Sequence, residues 1–307
     1  MATNFWTKIT PAGVKANFMD ALASTPKVYA KHCMEIPSDA PSETYAWLGS
    51  LPQPRRKLDG RNFQSLNEYS QTIENYTYEL SVLVDSDSMM DDRHSMFQAR
   101  IAEIAERWAG YHDSVFGALL IAGETATTTF DGTTFHDDTR TIGGSGTIDN
   151  SRTIDATDHT ALTVAEFQAG LQECETTMWR FADDKGVPGF NRAAMSRMAV
   201  VIPPEWKRVA TETLQSDIIG TNSNPWGKNL MEADVLLDLT TTDYAMYVSA
   251  LGGQRMPFVY QQRSSLEIAV LNSANEIALN DGVMILCKQR FRMGYAEPRR
   301  NCRLDYT

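Results

Sequence analysis

"YAWLGSLPQPRRKLDGR", residues 45–61, crowds two aromatics, two prolines and four cations into seventeen residues with no helical period. Asp59-Gly60 is the two-residue signal of a tight hairpin turn, which puts Lys57 and Arg61 on either side of a ribbon tip. Downstream, Tyr76, Tyr78, Leu80, Val82 and Val84 fall at every second position with Thr77, Glu79 and Ser81 between them. That alternation predicts a long strand buried on one side, read here as part of the same ribbon. A lone two-stranded ribbon is marginal in water. One resolution is cover from outside the fold, such as another copy of the chain.

The chain has 307 residues, 42% of them hydrophobic and 22% charged, which is ordinary globular usage. Twenty-eight Lys and Arg against 39 Asp and Glu leave a formal charge of −11, which opposes a role that depends on gripping phosphate. The longest apolar run, "VFGALLIAG" from Val115, is too short to span a membrane, and "MATNFWTKITPAG" lacks the pattern of a secretion signal. Cys33, Cys174, Cys287 and Cys302 have no paired spacing, so buried thiols are expected in place of a zinc site or a disulfide framework.

Residues 1–44 read as a mostly extended arm with one short helix. "SMMD" at 88–91 has the form of a capping box. Phe97, Ile101, Ile104, Ala105, Trp108, Val115, Phe116 and Leu119 then follow at three- and four-residue steps, predicting a rod of about thirty residues and about 45 Å. Residues 125–163 turn to Thr, Asp and Gly and read as a long exposed loop. Val164, Phe167, Leu171, Met178 and Phe181 mark a second helix that stops at Lys185-Gly186. "MAVVIPP" reads as a short buried strand, with a third helix from Pro203-Pro204 to about Gln215. "ADVLLDL", "AMYVSAL", "PFVYQQR", "LEIAVL" and "VMILCKQRFRMGYA" read as strands.

Chemistry has no visible carrier. The glycines at 143, 144 and 146 lack the strand and Lys-Ser/Thr of a phosphate cradle. His136, Asp137, Asp138, Asp158 and His159 suit a divalent ion by residue type, but a solvated acidic loop is the better account of them. No nucleophile elbow is present. Trp108 and Trp179 are expected in the core. Trp47, in an extended segment ahead of Pro52 and Pro54, is expected at an interface.

Arm, ribbon, long helix, mixed α/β unit and returning strands, in that order, resemble the tailed-phage major capsid protein fold of the Hong Kong phage type, an α+β fold shared with encapsulin shells. "YAWLGSLPQPRRKLDGR", "YELSVLVDSDSMMDD", "VFGALLIAGE" and "FDGTTFHDD" resemble the Mu-like phage major head subunit family from about Ser42 to Asp138, and "MPFVYQQR" and "RFRMGYAEPRR" extend the likeness weakly. Arg55-Arg56-Lys57 stands where that family often has Arg-Glu-Trp.

The resemblance implies an N-terminal arm over 1–44 and an extended hairpin loop over 45–85. It implies a peripheral domain with a spine helix over 86–160, an axial domain over 161–265, and strands returning to the peripheral domain over 266–307. It implies a non-enzymatic subunit that self-assembles into hexamers and pentamers of an icosahedral head around double-stranded DNA, in the virion after assembly in the host cytoplasm. Implied intersubunit contacts are Trp47, Arg55, Arg56, Lys57, Arg61, Phe5 and Trp6, with no cofactor, metal or membrane. Implied partners are other copies, a separate scaffolding protein, a portal, a possible decoration protein, and packaged DNA bound without sequence preference. Some members of the wider fold join subunits through a lysine–asparagine bond; the wet, cationic surroundings of Lys57 predict a non-covalent shell, since an ammonium at its usual pKa of about 10.4 is no nucleophile. Encapsulin is the alternative within the shell class, and an enzyme the alternative outside it.

Overall fold

The computed structural model describes residues 11–48, 68–85, 95–126, 129–219, 222–224, 226, 231–239, 244–273, 275 and 279–307. The elements in chain order begin with α1 (Pro11–Ser24), α2 (Tyr29–His32), β1 (Cys33–Pro37), β2 (Ser42–Leu48), β3 (Glu68–Glu74) and β4 (Tyr76–Asp85). The long helix α3 (Ser95–Ala122) is followed by β5 (Arg140–Thr141), β6 (Thr147–Ile148) and β7 (Ser151–Ile154). Next come α4 (Val164–Arg180), β8 (Met198–Ile202), α5 (Lys207–Gln215), β9 (Ile218–Ile219), β10 (Asn222–Ser223) and β11 (Glu232–Val235). The last strands are β12 (Ala245–Ala250), β13 (Phe258–Leu271), β14 (Gly282–Tyr295) and β15 (Asn301–Tyr306).

Two sheets organise these elements. The first has the order β1-β13-β14-β4, with β13, β14 and β4 antiparallel and β1 added in parallel at the edge of β13. In β4 the predicted alternation holds from Tyr78 to Val84: even-numbered residues are half-buried and odd-numbered ones exposed. Those residues meet α1 and α3, where Val14, Phe18, Ile101, Ile104, Ala105 and Trp108 pack with Val283, Ile285 and Cys287 of β14. Full burial of a side chain such as Phe18 contributes about 1.5–3 kcal/mol. The opposite side of α3 carries Arg100, Glu103 and Arg107, ion-paired at 2.9 and 3.5 Å. Exposed pairs of this kind add little.

The second sheet has the order β11-β8-β12-β15-β7. Each residue of β8 and β12 is buried, as expected of strands covered on both faces. On one face lie α4 and α5 with Phe167, Leu171, Met178, Trp206 and Val209. Helix α4 starts with the Thr163–Glu166 capping box and comes so close to β15 that a Cβ on Gly170 would lie 2.0 Å from the Tyr306 hydroxyl oxygen. On the other face Val201, Ala245 and Tyr247 meet Phe116 and Leu120 of α3 and Phe258, Phe291 and Tyr295 of the long hairpin. Spine helix and long hairpin thus belong to both cores.

Four features differ from the sequence reading. Strand 76–85 is not an arm of the ribbon: it pairs with β14, and the ribbon consists of β2 and β3, with Ser42 opposite Glu74 and Leu48 opposite Glu68. Alternation identifies a strand and its buried face but not its partner. The arm is built into the body from Pro11 on, because Val14 and Phe18 of α1 find apolar cover on α3 and β1 finds the free edge of β13. The return strands divide: β15 enters the interior of the second sheet between β12 and β7, so 301–306 does not go back to the first.

The Thr/Asp/Gly stretch is the fourth. It is an ordered staple with Phe135, Ile142 and Ile148 buried. Arg140 is ion-paired with Asp131 at 2.9 Å, and the Asn150 amide lies 3.0–3.2 Å from the carbonyls of Phe135, Pro298 and Asn301. The proposed "SMMD" helix start and the Asp59-Gly60 turn lie outside the described residues.

Candidate assembly surface

The ribbon leaves the body from a root that its own side chains fasten. Oε1 of Glu43 accepts hydrogen bonds from the Ser38 hydroxyl and the Asp39 amide, both at 2.9 Å, and from the Ala40 amide at 3.0 Å. These bonds, the Ala40 amide foremost, hold the Glu43 carboxyl below the usual carboxylate range. The Asn75 amide donates to Ser38 Oγ at 2.8 Å and to the Ala40 carbonyl at 2.9 Å, closing the corner between β3 and β4. Tyr45 donates to Gln261 Oε1 at 2.7 Å, and Gln261 donates on to the Ile73 carbonyl at 3.2 Å. Ile73 packs with Val259 and Ala296, where a Cβ on Gly294 would meet the Ile73 side chain at 2.6 Å. A root so tied sets the direction in which the ribbon departs.

Among the predicted contact residues, Trp47 sits on β2 with its backbone opposite Tyr69 of β3. Phe5, Trp6, Arg55, Arg56, Lys57 and Arg61 lie outside the described residues. Trp108 is buried as expected, whereas Trp179 is 43% exposed on α4, on the side away from the core. His136, considered above as a metal ligand, is buried with Nε2 2.7 Å from Asn301 Oδ1, and burial takes its pKa down to about 3. Asp158 accepts from Thr160, and His159 packs on the Tyr244 ring. Among the described residues no three His, Cys, Asp or Glu side chains group as metal ligands, and no helix is long and apolar enough to cross a membrane. All four cysteines are buried thiols.

Sequence reasoning missed the exposed apolar side chains of the first sheet and its loops. Leu83 on β4 is 56% exposed, in cross-strand register with Met284, which in turn faces Leu271. Leu279, between β13 and β14, is 84% exposed. The signal was present in the odd-numbered register of β4, where Leu83 breaks an otherwise polar row.

A chain with a long spine helix shared between two sheets and a fastened ribbon at its edge has the fold of tailed-phage capsid shells. The procapsid protein of bacteriophage JBD30 superposes with a TM-score of 0.52 at 17% identity, over 97% of this chain and 76% of that one. The mature capsid of bacteriophage PhiM1 gives 0.56 at 12%, over 92% and 87%, and a virus-like particle from Pyrococcus furiosus gives 0.57 at 8%, over 95% and 98%. Sequence narrows the class. Residues 8–164 match the Mu-like prophage major head subunit gpT, and the chain belongs to that family. It is 29% identical over 136 residues to the major capsid protein of Escherichia phage Mu, covering 42% of this chain and 44% of that protein. To the Mu-like prophage FluMu major head subunit of Haemophilus influenzae it is 29% identical over 143 residues, covering 44% and 46%. The matched region thus spans under half the length of these curated relatives.

Proposed function

We propose that the chain is the major capsid protein of a tailed-phage head, closing into hexamers and pentamers around double-stranded DNA. The first sheet with α1 and α3 forms the peripheral domain, and the second sheet with α4 and α5 the axial domain. The observation that carries this reading is the ribbon: among the described residues a two-stranded sheet separate from both larger sheets, fastened at its root, inside a family of head subunits. A two-stranded sheet is marginal in water alone, and a neighbouring copy supplies the missing cover. Trp47, Arg55, Arg56, Lys57 and Arg61 then contact that neighbour, as do Phe5 and Trp6 ahead of α1.

The role is structural and non-enzymatic, exercised in the virion after assembly in the host cytoplasm, with a scaffolding protein and a portal as partners. The charge of −11 suits a container that does not hold its genome by phosphate contacts. Electron microscopy of the purified protein tests the reading. Closed shells several hundred ångström across support it, and a monodisperse small particle under all assembly conditions overturns it.

A further inference from the structure

Along α3, His112 is buried against the first sheet and stacks on the rings of Tyr29 and Phe291, with centroids at 5.3 and 4.5 Å. Its Nδ1 lies 2.9 Å from the Trp108 carbonyl one turn back, and its Nε2 lies 3.1 Å from Gln289 Oε1 on β14. The amide nitrogen of Gln289 lies 2.9 Å from the Tyr260 hydroxyl on β13. One imidazole and one amide thus join the long helix to two strands, and all three side chains are buried.

A carbonyl only accepts, so Nδ1 carries a hydrogen whether the ring is neutral or charged. The role of Nε2 then depends on one proton. With Gln289 Oε1 facing it, Nε2 donates, the ring is an imidazolium, and the Gln289 NH2 group donates to Tyr260. With the ring neutral, Nε2 is bare and needs a donor, which Gln289 supplies by turning its amide half over. Oε1 then accepts from the Tyr260 hydroxyl. The two ends of an amide are nearly the same size, so both arrangements fit the same packing.

The two differ in energy. In the charged arrangement the hydroxyl hydrogen of Tyr260 has no acceptor among the described residues. Nor does a carboxylate face the ring: Asp113, next on α3, is turned to the amides of Val28 and Tyr29 at 3.2 and 3.0 Å. Burial keeps the Tyr29 and Tyr260 phenols protonated, with Cys33 and Glu35 of β1 acting in the same sense on both. Lys27, ahead of α2, adds a like charge. Burial foremost, and Lys27 with it, hold the ring below the ordinary histidine range. A buried charge without a partner is costly.

We propose that His112, Gln289 and Tyr260 form a two-position joint between the long helix and the first sheet, worked by one proton: tight with the ring neutral and loosened with it charged. Its hold is complete above the ordinary histidine pKa of about 6.5 and is lost as pH falls through the lower folded value. Asp113 titrates with the opposite sign, because burial holds its carboxyl above the usual range.

Ring 15N shifts of the unassembled full-length chain read the joint separately from Asp113, with His112 assigned by the signal lost in His112→Gln. At neutral pH the hydrogen should sit on Nδ1, and the titration midpoint should fall below about 6.5. In Gln289→Glu a carboxylate faces Nε2 and should raise that midpoint by about 1–3 units. A hydrogen on Nε2 at neutral pH, or a midpoint unmoved by Gln289→Glu, overturns the joint. The wild-type ring decides by itself if Gln289→Glu does not fold. Amide exchange along residues 108–116, corrected for its intrinsic pH dependence, reads the loosening. It should accelerate at least tenfold more on acidification in the wild type than in Gln289→Glu, and equal acceleration overturns the switch.

Discussion

The second sheet and the ribbon spend their side chains in opposite ways. In β8 and β12 each residue is buried between two layers of the same chain, whereas among the described residues β2 and β3 pair only with each other, and of their described side chains only Gln71 and Ile73 are buried. One region is finished as a monomer and the other is not, so damage to the first should unfold the subunit and damage to the second should spare it and stop assembly.

Tyr247, fully buried on β12, should give the largest effect: Tyr247→Ala is expected to cost about 3–5 kcal/mol, read as a lowered denaturation midpoint of the unassembled chain. Preserved stability there would mean the sheet is less finished than it looks. Arg55→Glu/Arg56→Glu comes next, with shell yield lost and the midpoint unchanged; normal shells would remove these cations from the interface. Trp47→Ala should cost about 2 kcal/mol at each intersubunit contact, depressing shell yield far more than the subunit's melting temperature. Equal losses in both would place Trp47 in the core of its own subunit.

The smallest expected effect sharpens the comparison at the ribbon root. Hydrogen bonds keep the Glu43 carboxyl depressed, so the stability they provide is complete above the ordinary carboxylate pKa of about 4.3 and is lost as pH falls through the lower folded value. Amide exchange at Asp39 and Ala40 should accelerate, beyond its intrinsic pH dependence, as pH falls from about 5 to about 3, and Glu43→Gln should show no such added change. Non-covalent assembly makes a further check: boiled in denaturing detergent, the particles should run as one band near 34.3 kDa.

Local periodicity made the helices legible. Ile101, Ile104, Ala105, Trp108 and Phe116 on α3, and Phe167, Leu171 and Met178 on α4, fall where three- and four-residue spacing places them. Partnership was not legible. The alternation in 76–84 could not tell β14 from a ribbon arm, because both choices bury the same face. Nor could composition show that 125–163 is stapled, since Asn150 finds its acceptors at Pro298 and Asn301, some 150 residues away, and Phe135, Ile142 and Ile148 enter the core singly. Composition singled out the cations of 55–61 and the aromatic Trp47 as expected contacts, but the fastening of the root through Glu43, Asn75 and Gln261 has no local signature.

The placement of β15 carries a consequence for the order of events at the ribosome. Residues 301–306 pair with β12 on one side and β7 on the other, so β7 is made long before the strand that joins it to the sheet. At 5–20 residues per second, about 8 to 30 s separate Ile154 from Tyr306. During that interval the second sheet lacks an interior strand and α4 lacks the tyrosine it packs on. A chain still being translated therefore has no completed second sheet until its last strand is made.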